Sequence, residues 1–173
     1  AIPSVPGLPL NFTNDVTVDN EGNAYVTNSD KGVIYKVDTD GEASIFFQDN
    51  SLAPPNPITQ TGFNGIEYHE ADFLLVVHSA NNKIYKIPMD NPSDISEVSI
   101  PEGLISGGDG MFLDGDELVL VNNANSANAN ANLPAVPFII KFVTIDNWGS
   151  AAPMGDTYAT GDVFPTTVIK VGE

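Results

Sequence analysis

Three short phrases put oxygen-bearing side chains at matching positions: Asn14-Asp15-Val16-Thr17-Val18, Asn64-Gly65-Ile66-Glu67-Tyr68 and Asp109-Gly110-Met111-Phe112-Leu113. Each leads through a turn to a second β-rich run that ends in a polar residue: Asn28, His78 or Asn122. Amide and carboxylate oxygens gathered at one place suit a hard cation, because Ca2+ accepts both in irregular geometry. Asn14, Asn64 and Asp109 are therefore candidate ligands for Ca2+ or another divalent cation. Asn14, Asp15, Asn28 and Asn122 are candidates for contact with a bound small molecule. His78 adds an imidazole that can serve as acid or base. The competing account is that Asn and Asp are ordinary turn residues and that Asn64-Gly65 is only a tight turn. Agreement at one phase of three repeats favours the site.

The elements that must position these residues are short strands. Fifteen glycines and 13 prolines punctuate the chain, and no long stretch keeps apolar residues at helical spacing. The β-rich runs are Asp15–Val18, Ala24–Thr27, Val33–Val37, Ala43–Phe47, Gly65–Tyr68, Phe73–His78, Lys83–Ile87, Val98–Ile100, Met111–Leu113, Glu117–Val121, Phe138–Val143 and Thr167–Val171. Turn residues such as Asp40-Gly41 and Asp114-Gly115 separate them. The phrase repeats at spacings of 50 residues (Asn14 to Asn64) and 45 (Asn64 to Asp109), and Ile-Tyr-Lys recurs at 34–36 and 84–86. Strand units at a period of roughly 40–50 residues are the signature of β-propeller blades. A β-sandwich also has short strands and Asp-Gly turns, but it does not require one phrase three times. The expected fold is all-β, a propeller of the six-bladed type. Its blade repeats are expected at about 14–50, 64–102 and 109–161, with a fourth beginning at 164. In such a blade the first strand lines the central channel, and the end of the second strand returns to the same mouth.

The phrases Asn-Asp-Val-Thr-Val-Asp-Asn-Glu-Gly-Asn-Ala-Tyr-Val-Thr-Asn-Ser, Asn-Gly-Ile-Glu-Tyr and Gly-Gly-Asp-Gly-Met resemble the gluconolactonase/regucalcin (senescence marker protein) superfamily. The likeness is greatest to plant and algal members described as calcium-dependent phosphotriesterase-like. It implies a Ca2+ or other divalent ion in the channel of a six-bladed propeller, with Asn64 and Asp109 as direct ligands. It also implies that Asn14 binds the metal or the substrate, and that Asp109 can act as base or nucleophile-side carboxylate. The family's ligating glutamate has no counterpart here, and six blades need close to twice this length. The resemblance therefore implies a segment of a longer protein, or one chain of a propeller completed by another subunit. Two functions follow as expectations. One is a metal-dependent hydrolase of a lactone, ester or phosphoester, and the other is a non-catalytic propeller that binds a protein partner. Strictosidine-synthase-like propellers are a third possibility within the same architecture.

Composition sets limits on partners. Six basic against 23 acidic residues give 173 residues a net charge of −17, which argues against nucleic acid and anionic membrane. The longest apolar run, Phe73 to Val77, is far too short to span a bilayer. Without cysteine there is no disulfide, zinc–thiolate site or cysteine nucleophile. The sequon Asn11-Phe12-Thr13 makes Asn11 a glycosylation candidate and leans toward secretion. No Gly-x-Ser-x-Gly elbow is present, so a serine triad is not expected. Asp38-Thr39-Asp40-Gly41 reads as a hairpin turn, because the glycine of a calcium loop's sixth position is Ala43 here. His69, before a polar turn, is expected to be solvated. The run Asn122–Asn132, rich in Asn and Ala, is expected to be a flexible loop.

Overall fold

Short alternating runs joined by tight turns pair most readily with their sequence neighbours, and this chain does so three times. The computed structural model describes residues 11–123, 136–161 and 163–171, so most of the expected Asn122–Asn132 loop lies outside the described residues. The first sheet is an antiparallel meander of β1 (Thr13–Val18), β2 (Ala24–Asn28), β3 (Val33–Val37) and β4 (Ala43–Gln48). The second repeats it with β5 (Phe63–His69), β6 (Phe73–His78), β7 (Lys83–Pro88) and the short β8 (Ser96–Glu97). The third contains β9 (Gly108–Asp114), β10 (Glu117–Asn122) and β11 (Phe138–Val143). Its outer edge is divided between β12 (Ala152–Pro153) and β13 (Tyr158–Ala159), both paired with β11.

These sheets stack face to face as propeller blades, and β6 shows why. All six of its residues, Phe-Leu-Leu-Val-Val-His, are buried, as expected of a strand covered on both faces. Leu74 and Val76 pack with Tyr25, Ile34 and Phe47 of the first blade. Phe73, Leu75 and Val77 pack with Met111, Leu118, Leu120 and Phe142 of the third. At the free face of the first blade the pattern changes. Val16 and Val18 are 56% and 54% exposed, whereas Ile66, at the position of Val16 one blade later, is 1% exposed.

Two expected strands differ. Residues 98–100 form no strand: Val98 N–H still donates to Ile84 O of β7 at 2.9 Å, but Ser99 turns to the third blade, its N–H donating to Gly149 O and Ala151 N–H to Ser99 O, at 3.0 and 2.9 Å. Residues 167–171 form no strand, although Gly110 N–H donates to Thr166 O at 2.9 Å and brings that segment alongside β9. His69 is buried and not solvated, its ring stacked on Phe73 at 4.4 Å with Nδ1 accepting from Ala71 N–H. The Asp38 turn is a hairpin: its carboxylate accepts from the N–H groups of Asp40 and Glu42, and Gly41 supplies a φ of +85°.

Candidate functional site

The same irregularity interrupts the first strand of every blade. Thr13 stands opposite Asn28 and Val16 opposite Val26, so Asn14 and Asp15 together face the single residue Thr27. Asn64 and Gly65 likewise face Val77. Asp109 and Gly110 face Val121. Two residues against one is a β-bulge, which takes a residue out of the ladder and re-aims its side chain. Pairing resumes beyond each bulge, with Ser29 N–H donating to Phe12 O, Ser79 N–H to Gly62 O and Asn123 N–H to Gly107 O. The candidate ligands are thus the bulged residues of three successive blades. The glycines after Asn64 and Asp109 allow close approach: a Cβ on Gly65 would lie 2.3 Å from Asp109 O, and one on Gly110 2.5 Å from Thr166 O.

Asn14, Asn64 and Asp109 line one cavity of about 580 Å3, together with Ser79, Asn123 and Phe164. Each is held by the residue just after its blade's second strand. Asn14 Nδ2 donates to Ser29 Oγ at 2.9 Å and Asn64 Nδ2 to Ser79 Oγ at 3.0 Å. In the third blade the polarity reverses, and Asn123 Nδ2 donates to the Asp109 carboxylate. The serines also join neighbouring blades, Ser29 Oγ–H donating to Phe63 O at 2.8 Å and Ser79 Oγ–H to Gly108 O at 2.5 Å.

Asn28, His78 and Asn122 are not among the residues lining this cavity. They precede Ser29, Ser79 and Asn123 by one residue, and alternation in a strand turns neighbours to opposite sides. All three fasten nearby segments. Asn28 Nδ2 donates to Asn11 Oδ1 and to Tyr35 Oη, and its Oδ1 accepts from Asp30 N–H. His78 Nε2 lies 2.9 Å from Leu52 O, its Nδ1 accepts from Asn81 N–H, and its ring packs edge-on against Phe63. Burial pushes the His78 imidazole down, favouring the neutral ring. Asn122 Oδ1 accepts from Ser106 N–H at 2.8 Å. Asp15 lies between the inner strands, its carboxylate accepting from the N–H groups of Ile66 and Val16. Asn11 Oδ1 accepts from Lys31 Nζ at 2.8 Å.

Ser29, Ser79 and Asn123 hold the candidate ligands, and Glu67 lies near Asp15 outside the cavity lining; none of the four is among the sequence candidates. The first three carry a signal after all, since they share one phase of the repeat. Glu67 does not, because Thr17 and Phe112 hold its place in the other blades.

Electrostatics single out two carboxyls. Burial raises the pKa of Asp109, as does the nearby Asp15, while the amides of Asn123 and Asn64 pull it back. Burial and then Asp15 push Glu67 up to about 7. The described residues that line the cavity include no lysine or arginine. Asn64 Oδ1 and Asn123 Oδ1 are buried without a hydrogen-bond partner. Leaving such an oxygen unpaired costs about 1–3 kcal/mol, and a cation would relieve that. Among the described residues no three His, Cys, Asp or Glu side chains converge, and at the bulges amide oxygens outnumber carboxylates as possible ligands. The donor set fits a hard, oxygen-seeking cation.

No family model matches the chain, and no curated protein matches it. Solved structures do. Virginiamycin B lyase from Staphylococcus aureus superposes with a TM-score of 0.58 at 20% identity, over 96% of this chain and 48% of that one. The major Malassezia sympodialis allergen Mala s 1 gives 0.64 at 21%, over 90% and 45%. A structure described as a putative gluconolactonase gives 0.59 at 13%, over 95% and 53%. The chain spans about half the length of these structures, and the likeness establishes its fold as part of a β-propeller.

Proposed function

We propose that the bulged residues Asn14, Asn64 and Asp109 bind a divalent cation, Ca2+ by preference, and that the whole propeller hydrolyses a lactone, ester or phosphoester there. The observation that carries this reading is Asn64 Oδ1, a buried amide oxygen with no partner, on the same cavity wall as the Asp109 carboxylate. A bound divalent ion supplies Lewis-acid polarisation of a substrate oxygen. The protein's own residues do the rest. The cavity is large enough for a small molecule. The Asp109 carboxylate has two oxygens, so one can hold the cation while the other accepts a proton as base. Asn14, the most exposed of the three, is placed to meet either cation or substrate.

The exposure of Val16 and Val18 supports a further blade on that face, from the rest of the same protein or from another subunit. Asn11 is exposed, and the hydrogen bonds accepted by its Oδ1 leave the amide nitrogen for a glycan, which supports secretion. No helix among the described residues is long and apolar enough to cross a membrane.

A non-catalytic binding propeller is the second reading, favoured by the single carboxylate among the three bulge ligands. Calorimetry with Ca2+ on the whole protein and on Asp109→Asn tests the cation. Loss of the one charged bulge ligand should weaken binding by about 100-fold with the fold intact. Equal affinity in both would make Asp109 a structural residue. Metal binding without turnover of any lactone, ester or phosphoester would support the binding module.

A further inference from the structure

The serine that follows each of the first two blades' second strands has a hydrogen-bond balance that fixes its neighbour. A hydroxyl has one proton to give. Ser79 gives its proton to Gly108 O at 2.5 Å. Toward Asn64, 3.0 Å away, its oxygen can therefore only accept. An amide turned the other way would set two oxygens against each other with no proton between them. The Asn64 amide must therefore present its nitrogen to Ser79, and its oxygen is the atom left buried and unpaired. Proton count, and not merely placement of two similar atoms, assigns the orientation.

We propose that Ser79 is a positioning residue: it locks the Asn64 amide so that Oδ1 is the free acceptor for the rim ligand. Ser29 does the same for Asn14, with its proton committed to Phe63 O at 2.8 Å. The role of Ser79 as an aid to cation binding rests on the reading above. The amide orientation itself does not.

The Asn64 amide also lies close enough to the Asp109 carboxylate to lower its pKa, and its hydrogen bond is to Ser79. The hydroxyl also couples the blades, because Gly108, whose carbonyl accepts it, immediately precedes Asp109. One proton thereby ties the orientation of the second blade's ligand to the backbone that carries the third blade's ligand. The third blade lacks this device: Asn123 donates to Asp109, which needs no orientation because its two oxygens are equivalent.

The test compares Ser79→Ala with Ser79→Thr in the whole protein, with two readouts. The first is hydrogen exchange of the two Asn64 side-chain N–H protons by NMR, without added metal. In Ser79→Ala the proton that faces residue 79 should exchange at least several-fold faster, and Ser79→Thr should restore wild-type protection. The second is Ca2+ affinity by calorimetry. Ser79→Ala should lose about 10-fold or more, as expected when the partner that orients a metal ligand is removed, and Ser79→Thr should recover most of it. A thermal melt of each variant separates this from unfolding. Unchanged exchange in a folded Ser79→Ala would overturn the proposed orientation. Changed exchange with unchanged Ca2+ affinity would overturn the role in binding. A wild type that binds no Ca2+ but shows the expected exchange pattern would refute the cation reading while the orientation stands.

Discussion

Asp19 and Asp109 stand at opposite ends of inner strands, and the fold treats them differently. Asp19, in the turn after β1, accepts from the N–H groups of Glu21 and Asn23, from Asn23 Nδ2 and from Tyr25 Oη, all within 3.0 Å. Burial pushes its carboxyl up, but the donors from Asn23, Tyr25 and Glu21 together outweigh that and hold its pKa below the ordinary range. Asp109 accepts from Asn123 and is also stabilised by the nearby Asn64 amide, yet burial dominates and its pKa lies above the ordinary range. A saturated carboxylate has completed its work in building a turn. An undersatisfied one beside an unpaired buried oxygen is equipped for a ligand. Both ends of these strands are acidic, so charge alone does not separate them; the satisfaction of each group does.

Paired alanine substitutions would break this contrast most sharply. Asp19→Ala should cost about 2 kcal/mol of stability by removing several hydrogen bonds to one charged acceptor, and should leave Ca2+ affinity unchanged. Asp109→Ala should leave stability nearly unchanged and abolish most Ca2+ binding. Chemical denaturation and calorimetry on both variants decide between these outcomes. The reverse pattern would mean that the ends have been assigned the wrong way round.

A smaller effect is expected at Glu67. Its pKa rises from an ordinary 4.5 to about 7 in the folded chain, so the folded state binds more protons than the unfolded state between those values. Stability attributable to this group is therefore greatest below about 4.5 and is lost as pH rises through about 7. Discounted for partial exposure to solvent, the loss is about 1–2 kcal/mol. Glu67→Gln should flatten the fall in melting temperature between pH 5 and 8 and stabilise the protein at about pH 8 by that amount. A wild type whose melting temperature rises steadily over this range, unaltered by the substitution, would show that Glu67 titrates as an ordinary carboxyl.

The fold was legible in the sequence because each blade repeats one phrase. β6 shows it well: its run of six apolar and aromatic-ring residues marks a strand covered on both faces, and Phe73–His78 is the span observed. The bulged positions were legible for the same reason, since Asn14, Asn64 and Asp109 hold one phase. The direction of the side chains one strand away was not. A shift of a single residue turns a strand side chain to its other face, so Asn28, His78 and Asn122 fasten segments while Ser29, Ser79 and Asn123 hold the ligands. Hydrophobic pattern does not encode that choice where both neighbours are polar. Residues 98–100 differ for another reason: their apolar alternation is real, but only Val98 still bonds β7, and Ser99 pairs with the chain at Gly149–Ala151, far away in sequence. His69 looked solvated because its neighbours are polar, while the ring that buries it, Phe73, lies across the hairpin.

The central claim is that the blade bulges assemble a cation site. A crystal of the whole protein grown with Mn2+ and measured near the manganese absorption edge tests it most directly. An anomalous peak within coordination distance of both Asn64 Oδ1 and the Asp109 carboxylate is the expected result, and Asp109→Asn should remove it. An anomalous map with no peak at the rim, at Mn2+ concentrations that fill other sites in the same crystal, would contradict the account.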